Sequence, residues 1–189
     1  MLRRTVVAIF GCVCVLLAFT PAQARIVYTQ TNQTFTGNVS WNIDVDNNGV
    51  ADVMITQDLY SDGGCLGANA HVDNARGVGL LTNGQGWTSA LDAGTSIGPN
   101  EIFDSSESLL GDTYHCIGNP FGHDDGFWIN YGTLFLGLEL TKAGKVHYGW
   151  AQFSVSIVNW YGGRHRMQSI LTGYAYQTIA GKAILAGQT

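Results

Sequence analysis

Charged residues are scarce in this sequence, and their scarcity excludes several classes of protein. Only 12% of the 189 residues are Asp, Glu, Lys or Arg, whereas 46% are hydrophobic. A coiled coil or a solvated helical bundle needs many more charged side chains on its surface. A disordered chain would be far less hydrophobic, because burial of so much apolar surface offsets the entropy lost on folding. We therefore expect a globular protein, and the length favours one domain.

Among the charged residues, basic side chains are scarcer than acidic ones. The chain has 9 Lys and Arg against 14 Asp and Glu, which gives a net charge of -5. A surface that binds nucleic acid would show the opposite balance, with Lys and Arg clustered in a basic patch. We therefore expect no nucleic-acid partner, and an acidic protein is better suited to bind cations.

Long hydrophobic runs are also rare, with one exception at the N terminus. Residues 6–19 are almost entirely apolar, follow two arginines and precede an Ala-Gln-Ala sequence that ends at Ala24. This order is typical of a secretory signal peptide, and the stretch is shorter than the ~20 residues that a membrane-spanning helix needs. We predict a signal peptide over residues 1–24 and a mature chain from Arg25 without a membrane span. The predicted location is extracellular or at the cell surface, and the periplasm is the alternative.

Cysteine is rare outside that segment. Cys65 and Cys116 are the two cysteines that follow it, and 50 residues lie between them. In an exported protein, an even pair of cysteines predicts a disulfide bond. Two buried thiols or a metal-binding pair are the alternatives, and the lack of a CxxC spacing disfavours the metal.

Strand-like periodicity is abundant, especially in the last third of the chain. Leucines alternate with other residues over 134–140, and the β-branched and aromatic segment 146–157 follows a Lys-Ala-Gly-Lys turn. Residues 167–176 return as a third strand after a Tyr-Gly-Gly-Arg turn at 161–164. These patterns predict an antiparallel meander.

Shorter strand candidates occupy the N-terminal third, where Val, Ile, Thr and Tyr are frequent. They cover residues 26–30, 34–38, 40–43 and 53–60. The middle of the chain, from 61 to 126, is rich in Gly, Asn, Asp and Ser and is predicted to be mostly loop. Two or three strands are expected there, around 66–72, 78–81 and 102–103. The predicted fold is all-β, a single antiparallel β-sandwich or jelly-roll-like domain over residues 25–189.

An acidic segment between two of these strands is the sharpest chemical motif. In the sequence DVDNNGVAD, residues 44–52, oxygen-bearing side chains occupy positions 1, 3, 5 and 9, and glycine occupies position 6. A tightly turned loop with this spacing can wrap a hard cation such as calcium. The predicted ligands are four side chains and the backbone carbonyl of the residue at position 7: Asp44, Asp46, Asn48, Asp52 and Val50.

This loop differs from an EF-hand, because position 12 is Ile55 instead of a bidentate glutamate. It resembles the DxDxDGxxD loops of integrin-type β-propeller repeats, in a single copy. The alternative is an Asx-rich hairpin turn with solvated acids, since Asn-Gly is itself a strong turn signal. Three carboxylates within nine residues repel one another without a counter-ion, which favours a structural calcium ion.

No catalytic residue is predicted. The segment 94–98 matches the GxSxG pattern of a serine hydrolase around Ser96, but Pro99 follows where that motif needs a helix. Three further acids have a spacing that does not keep them on one strand face, and we interpret them as solvated surface residues. They are Glu101, Asp104 and Glu107.

Five tryptophans could form either the core or a sugar-binding face. Tyr148 and Trp150 alternate onto one face of a predicted strand, which favours the core for most of these rings. The adjacent pair Trp160 and Tyr161 precedes a Gly-Gly turn and is predicted to be the most exposed.

Four short motifs mark the last third of the chain. They are FLGL at 135–138, HYGW at 147–150, TGYAY at 172–176 and AILAG at 183–187. Together with the acidic loop near the start, they resemble the ectodomains of secreted bacterial proteins of the PEP-CTERM type. The resemblance implies an exopolymer- or surface-associated protein without a known reaction. The sequence ends at Gln188-Thr189 without the Pro-Glu-Pro sorting tail, so we expect release or surface retention rather than sorting by exosortase.

These patterns predict a secreted, calcium-stabilised, non-enzymatic protein of the surface or extracellular matrix, with an adhesive role. Its expected partners are exopolysaccharide or cell-surface components. The alternative is a carbohydrate-binding or carbohydrate-active protein on the same scaffold. A pocket with two carboxylates beside exposed aromatic residues would favour the alternative, and burial of all five tryptophans would favour the first function.

Overall fold

A computed structural model describes residues 25–62, 65–74, 78–83, 85, 87–106, 108–116, 122–160 and 164–189. The predicted signal peptide and residues 161–163 of the predicted turn at 161–164 lie outside these ranges. Within them, every regular element is a β-strand, and every pairing between named strands is antiparallel.

The strands of the described residues are numbered here in chain order. They are β1 (Ile26–Thr36), β2 (Val39–Ile43), β3 (Val53–Asp62), β4 (Cys65–Asn74), β5 (Gly79–Leu81), β6 (Ser96–Ile97), β7 (Phe103–Asp104), β8 (Ser108–Cys116), β9 (His123–Asp125), β10 (Thr133–Lys142), β11 (Lys145–Trp160), β12 (Arg164–Gln177) and β13 (Ile184–Leu185).

Two large sheets form the body of the protein. One has six strands in the order β1-β12-β11-β10-β5-β7, and the other has five in the order β2-β3-β4-β8-β9. Their apolar faces share one core, in which side chains from β3 and β4 pack with side chains from β10, β11 and β12. The prediction of an all-β antiparallel sandwich is confirmed.

A buried glutamine joins the two sheets across this core. Gln57 of β3 is buried, and its amide nitrogen donates a hydrogen bond of 2.6 Å to the backbone carbonyl of Met167 in β12. The hydroxyl of Ser169, also buried in β12, donates to the Gln57 Oε1 atom at 3.2 Å. The buried amide is thus hydrogen-bonded at both of its polar atoms, as burial of a polar side chain requires.

The predicted C-terminal meander is confirmed as the pairing of β10 with β11 and of β11 with β12. The six-stranded sheet is, however, covered on both faces. Tyr148 and Trp150 belong to a second core on its outer face, together with Ile97 of β6 and Ile184 of β13. The C-terminal segment therefore closes over this sheet, and the Trp150 indole donates a 3.2 Å hydrogen bond to the carbonyl of Gln188.

The prediction of mostly loop between residues 61 and 126 is wrong for β8, a nine-residue strand inside the five-stranded sheet. Its alternation is interrupted by a bulge, since Gly111 lies opposite Ala70 while Leu109 lies opposite the next residue, His71. Leu110 is the extra residue. A bulge shifts the side-chain period by one position, so a search for strict alternation misses such a strand.

The tight turn between β10 and β11 offers a test of backbone strain. Ala143 and Gly144 both have positive φ angles, of 49° and 72°, as a two-residue turn of this kind requires. We expect Ala143→Gly to increase the free energy of unfolding by about 0.5–1 kcal/mol, because the left-handed strain of alanine exceeds the entropic cost of glycine. Urea unfolding measures the change.

The neighbouring position provides the matched control. A Cβ atom added at Gly144 would meet nothing within 4 Å, so Gly144→Ala changes only the backbone preference. This variant should lose about 1 kcal/mol of stability. Changes of the same sign in both variants would contradict the assignment of strain to Ala143.

Candidate functional site

The acidic loop, residues 44–52, connects two neighbouring strands of the five-stranded sheet. Ile43 and Val53 are paired across β2 and β3, and the Asp52 N–H donates a 2.8 Å hydrogen bond to the Ile43 carbonyl. Inside the loop, Asn47 and Gly49 adopt positive φ angles of 55° and 87°. Asparagine and glycine are the residues that tolerate this left-handed conformation best, which explains the Asn-Asn-Gly sequence at the turn.

The loop brings three of the predicted ligands together. Carboxylate oxygens of Asp44, Asp46 and Asp52 all lie within 4.8 Å of one another. Asn48 turns its side-chain oxygen onto the backbone N–H of Val50, at 2.8 Å. The five residues therefore share one turn, and the three carboxylates are its convergent groups.

Backbone N–H groups hold all three carboxylates in place, and the Asn48 N–H donates to Asp46 Oδ1 at 3.1 Å. Asp52 Oδ2 accepts a 2.8 Å hydrogen bond from the Val45 N–H, and the two Asp44 oxygens accept from the N–H groups of Asn48 and Gly49, at 3.0 and 2.6 Å. Such bonds are those of an Asx-rich turn, so they account for the shape of the loop with or without an ion. They also keep the acidic side chains close despite their mutual repulsion.

A lysine from β10 contacts the loop, and the sequence analysis missed it. The Lys142 ammonium lies 2.9 Å from Asp46 Oδ2 in an ion pair, and the Asp46 side chain is only 5% exposed. The same ammonium donates to the Tyr176 hydroxyl at 3.2 Å and lies 5.0 Å from the centre of that ring. No local spacing could reveal this contact, because Lys142 is remote in sequence from the loop.

The charges of the loop act differently on two of its acids. Burial raises the pKa of Asp46, but the hydrogen bond from Lys142, assisted by Asn48, outweighs burial and holds that pKa below its usual value. Burial also raises the pKa of Asp52, and there the charges of Asp46 and Asp44 add to the increase, against the hydrogen bonds from the backbone. Lys142 thus compensates one carboxylate, while Asp52 still experiences uncompensated negative charge.

The cysteines of the predicted disulfide occupy opposite positions on paired strands. Cys65 of β4 lies directly across from Cys116 of β8 in the register of the five-stranded sheet. Opposite residues of antiparallel strands have Cα atoms about 4.5–5.5 Å apart, which is within the range that a disulfide bridges.

The GxSxG segment forms part of the cover over the six-stranded sheet. Ser96 lies in β6, which has two residues and pairs with Leu185 and Ile184 of β13. A turn follows it, in which the Glu101 N–H donates to the Gly98 carbonyl at 3.2 Å. Glu101 and Asp104 are exposed, as predicted for surface acids, and Glu107 lies outside the described residues.

The tryptophans divide between core and surface. Trp128 and Trp150 are buried, Trp87 is half-buried, and Trp41 is 39% exposed. The predicted exposed pair at 160 and 161 lies outside the described side chains. Burial of all five rings, which would have favoured a purely structural protein, therefore does not occur.

A row of aromatic side chains that the sequence analysis missed crosses the outer face of the five-stranded sheet. The Tyr60 ring lies across Gly67 of the neighbouring strand and is nearly parallel to the Tyr114 ring, with 6.2 Å between the ring centres. Its hydroxyl donates a 2.8 Å hydrogen bond to Asp112, and burial together with this bond raises the pKa of Tyr60 to about 12. The row is a cross-strand cluster in which an aromatic ring covers a glycine.

A cleft of about 490 Å³ opens between the segments 87–92 and 127–134, and Asn83 also lines it. Phe127 and Tyr131 stand beside it, 50% and 73% exposed. Asp92 is the acidic residue of its lining. Two exposed aromatic residues and one carboxylate thus border the same cleft, in a part of the chain without strand periodicity.

Within the described ranges, no helix has the length and hydropathy that a membrane crossing needs. Comparisons with protein-family models, with curated proteins and with solved structures find no match for this chain.

Proposed function

We propose that this protein is a secreted, non-enzymatic component of the cell surface or extracellular matrix, and that one calcium ion stabilises the loop between β2 and β3. The observation that carries the proposal is the convergence of the Asp44, Asp46 and Asp52 carboxylates within 4.8 Å. Oxygen ligands in a tight loop are what calcium prefers. Asn48 and the Val50 carbonyl complete the ligand set of the loop template.

The charge balance of the loop supports a divalent cation. Lys142 offsets one of the three carboxylates, and two negative charges remain in a partly buried turn. Burial and the charges of the neighbouring acids raise the pKa of Asp52, because they disfavour its negative charge. A bound cation would offset this unfavourable interaction. A structural role follows, because a loop that uses its oxygens for an ion leaves few for a substrate.

Export and surface location rest on the sequence. The basic and apolar N-terminal segment and the PEP-CTERM-type motifs both support a protein that acts outside the cell. Exopolysaccharide or cell-surface components are its proposed partners. The two-residue strand at Ser96 and the absence of a helix after it, within the described residues, support a function without hydrolase chemistry.

A disulfide between Cys65 and Cys116 is part of the same proposal. The two residues are opposite each other on β4 and β8, which supports the pairing. An oxidising compartment favours such a bond, so the bridge and the proposed export support each other.

The calcium proposal predicts a higher melting temperature in calcium than in excess chelator. A ligand that binds only the folded state adds about 2.7 kcal/mol of stability at a hundred times its dissociation constant. Asp52→Asn should abolish the difference, because it removes one of the convergent carboxylates. Thermal unfolding followed by circular dichroism measures both.

Asp58→Asn is the matched control for that variant. Asp58 is a half-exposed carboxylate of β3, outside the loop, so its replacement should leave the response to calcium unchanged. Identical melting curves of the unmodified protein in calcium and in chelator would refute the site and leave the Asx-rich turn as the explanation of the loop.

Carbohydrate binding is the second candidate function, and the exposed aromatic residues at the cleft favour it. Phe127 and Tyr131 border the same cleft as the Asp92 carboxylate. Glycoside hydrolysis generally uses two carboxyl groups across the scissile bond. One carboxylate beside aromatic rings is therefore better suited to holding a sugar than to cleaving it.

A further inference from the structure

We propose that the cleft between segments 87–92 and 127–134 binds a pyranose unit of a neutral saccharide chain. Phe127 and Tyr131 provide the apolar surface for the sugar ring, and Asp92 accepts hydrogen bonds from its hydroxyl groups. This inference rests on the second candidate function, carbohydrate binding, and assigns it a site and a class of ligand.

The exposure of the two rings is the first argument. Within the segment 127–131, the side chains of Trp128 and Ile129 are buried, with exposed fractions of 0% and 6%. Phe127 and Tyr131, in contrast, are 50% and 73% exposed. Large apolar groups that face water together beside a cleft are typical of binding sites. The face of an aromatic ring is apolar and electron-rich, so it is complementary to the C–H groups on one face of a pyranose.

The walls of the cleft are joined to each other through buried contacts. The Trp128 indole N–H, from one wall, donates a 2.9 Å hydrogen bond to the Thr88 hydroxyl of the other wall. Beyond Thr88, Leu91 and Phe135 exchange two backbone hydrogen bonds, of 3.0 and 2.9 Å, which attach the segment before Asp92 to β10. The distance between the walls is therefore set by the fold.

Tyr131 follows a residue that is held equally firmly. The Asn130 N–H donates a 2.9 Å hydrogen bond to the Val155 carbonyl, and its side-chain oxygen accepts one of 3.2 Å from the Ile157 N–H. Asn130 has a positive φ angle of 61°, a conformation that asparagine tolerates and that directs the chain into β10. Because the backbone is already ordered, a ligand that stacks on Tyr131 pays little further ordering entropy.

The polar lining determines the class of ligand. Asp92, Ser89 and Asn83 line the cleft, and the Asp92 carboxylate has no hydrogen-bond partner among the described residues. A free carboxylate can accept hydrogen bonds from two sugar hydroxyls. The described lining contains no Lys or Arg, so an anionic uronate would be repelled by Asp92 and a neutral sugar would not.

The size of the cleft agrees with a small ligand. Its volume is about 490 Å³, and sites for small molecules usually range over roughly 300–1,000 Å³. One sugar unit would then be held between the walls while its neighbours extend along the surface.

Isothermal titration calorimetry of the purified protein, in calcium, tests this site. The probes are the neutral tetrasaccharides cellotetraose, maltotetraose, mannotetraose and galactotetraose, and the anionic tetragalacturonate. We expect saturable binding of at least one neutral probe and none of tetragalacturonate. Tyr131→Ala should weaken that binding roughly tenfold, and Asp92→Asn should weaken it severalfold, because each removes one contact of the sugar.

Tyr60→Ala is the matched control, because it also removes a tyrosine side chain. Tyr60 lies on the outer face of the five-stranded sheet and does not line the cleft. This control should leave the affinity unchanged, and circular dichroism should show that the cleft variants remain folded, because Tyr131 is mostly exposed. Absence of binding by every neutral probe would overturn carbohydrate binding itself. Unchanged binding in both cleft variants would retain that function and overturn the site, whatever the effect of Tyr60→Ala, and binding of tetragalacturonate would overturn the neutral ligand class.

Discussion

Reduction of the proposed Cys65–Cys116 disulfide is expected to lower the free energy of unfolding by about 4 kcal/mol. The bond closes a loop with 50 residues between its ends, and an open chain of that length has many more unfolded conformations. The strain of the bridge in the folded state should be small, because the two cysteines already lie opposite each other on β4 and β8. Urea unfolding with and without reductant measures the loss.

A double variant, with Cys65→Ala and Cys116→Ala, is the control for this experiment. Its stability should equal that of the reduced protein, within the change caused by the new side chains, and should not respond to reductant. Mass spectrometry after alkylation of the native protein should show both thiols protected. Two alkylated cysteines in the untreated, folded protein would contradict the bridge.

Trp128→Ala is expected to destabilise the protein by about 3–5 kcal/mol, the usual cost of removing a fully buried large aromatic side chain. Trp128 is 0% exposed, and its ring packs edge-to-face on Phe153 with 6.3 Å between the ring centres. Its loss also removes the indole that donates to the Thr88 hydroxyl. The variant should therefore lose stability and, if the cleft binds sugar, lose affinity as well.

Trp41→Ala makes the same substitution at an exposed position. Trp41 is 39% exposed, and its ring centre lies 5.5 Å from that of Phe35. We therefore expect the free energy of unfolding to fall by only about 1 kcal/mol. Urea midpoints of the two variants, compared at equal m-values, give the difference. Equal losses would show that Trp128 does not have the core role that its burial indicates.

Local patterns in the sequence determined much of the architecture. The alternating leucines of residues 134–140 predicted β10, and the Gly-containing turn after it predicted the hairpin with β11, because both are properties of neighbouring residues. The acidic loop is equally local. Nine residues in one tight turn bring Asp44, Asp46 and Asp52 together wherever the loop lies in the fold.

The tertiary structure alone decided which remote side chains meet these local features. Lys142 reaches Asp46 only because β10 ends beside the loop between β2 and β3, and no spacing in the sequence encodes that proximity. Strand β8 was missed because the bulge at Leu110 interrupts its alternation. Its residues on both sides of the bulge nevertheless pair with β4, and this pairing makes the segment one strand. The cleft likewise depends on the contact between Trp128 and Thr88, which are 40 residues apart. Periodicity reports which face of a strand is buried, whereas the packing of the sheets decides which faces, loops and charges come together.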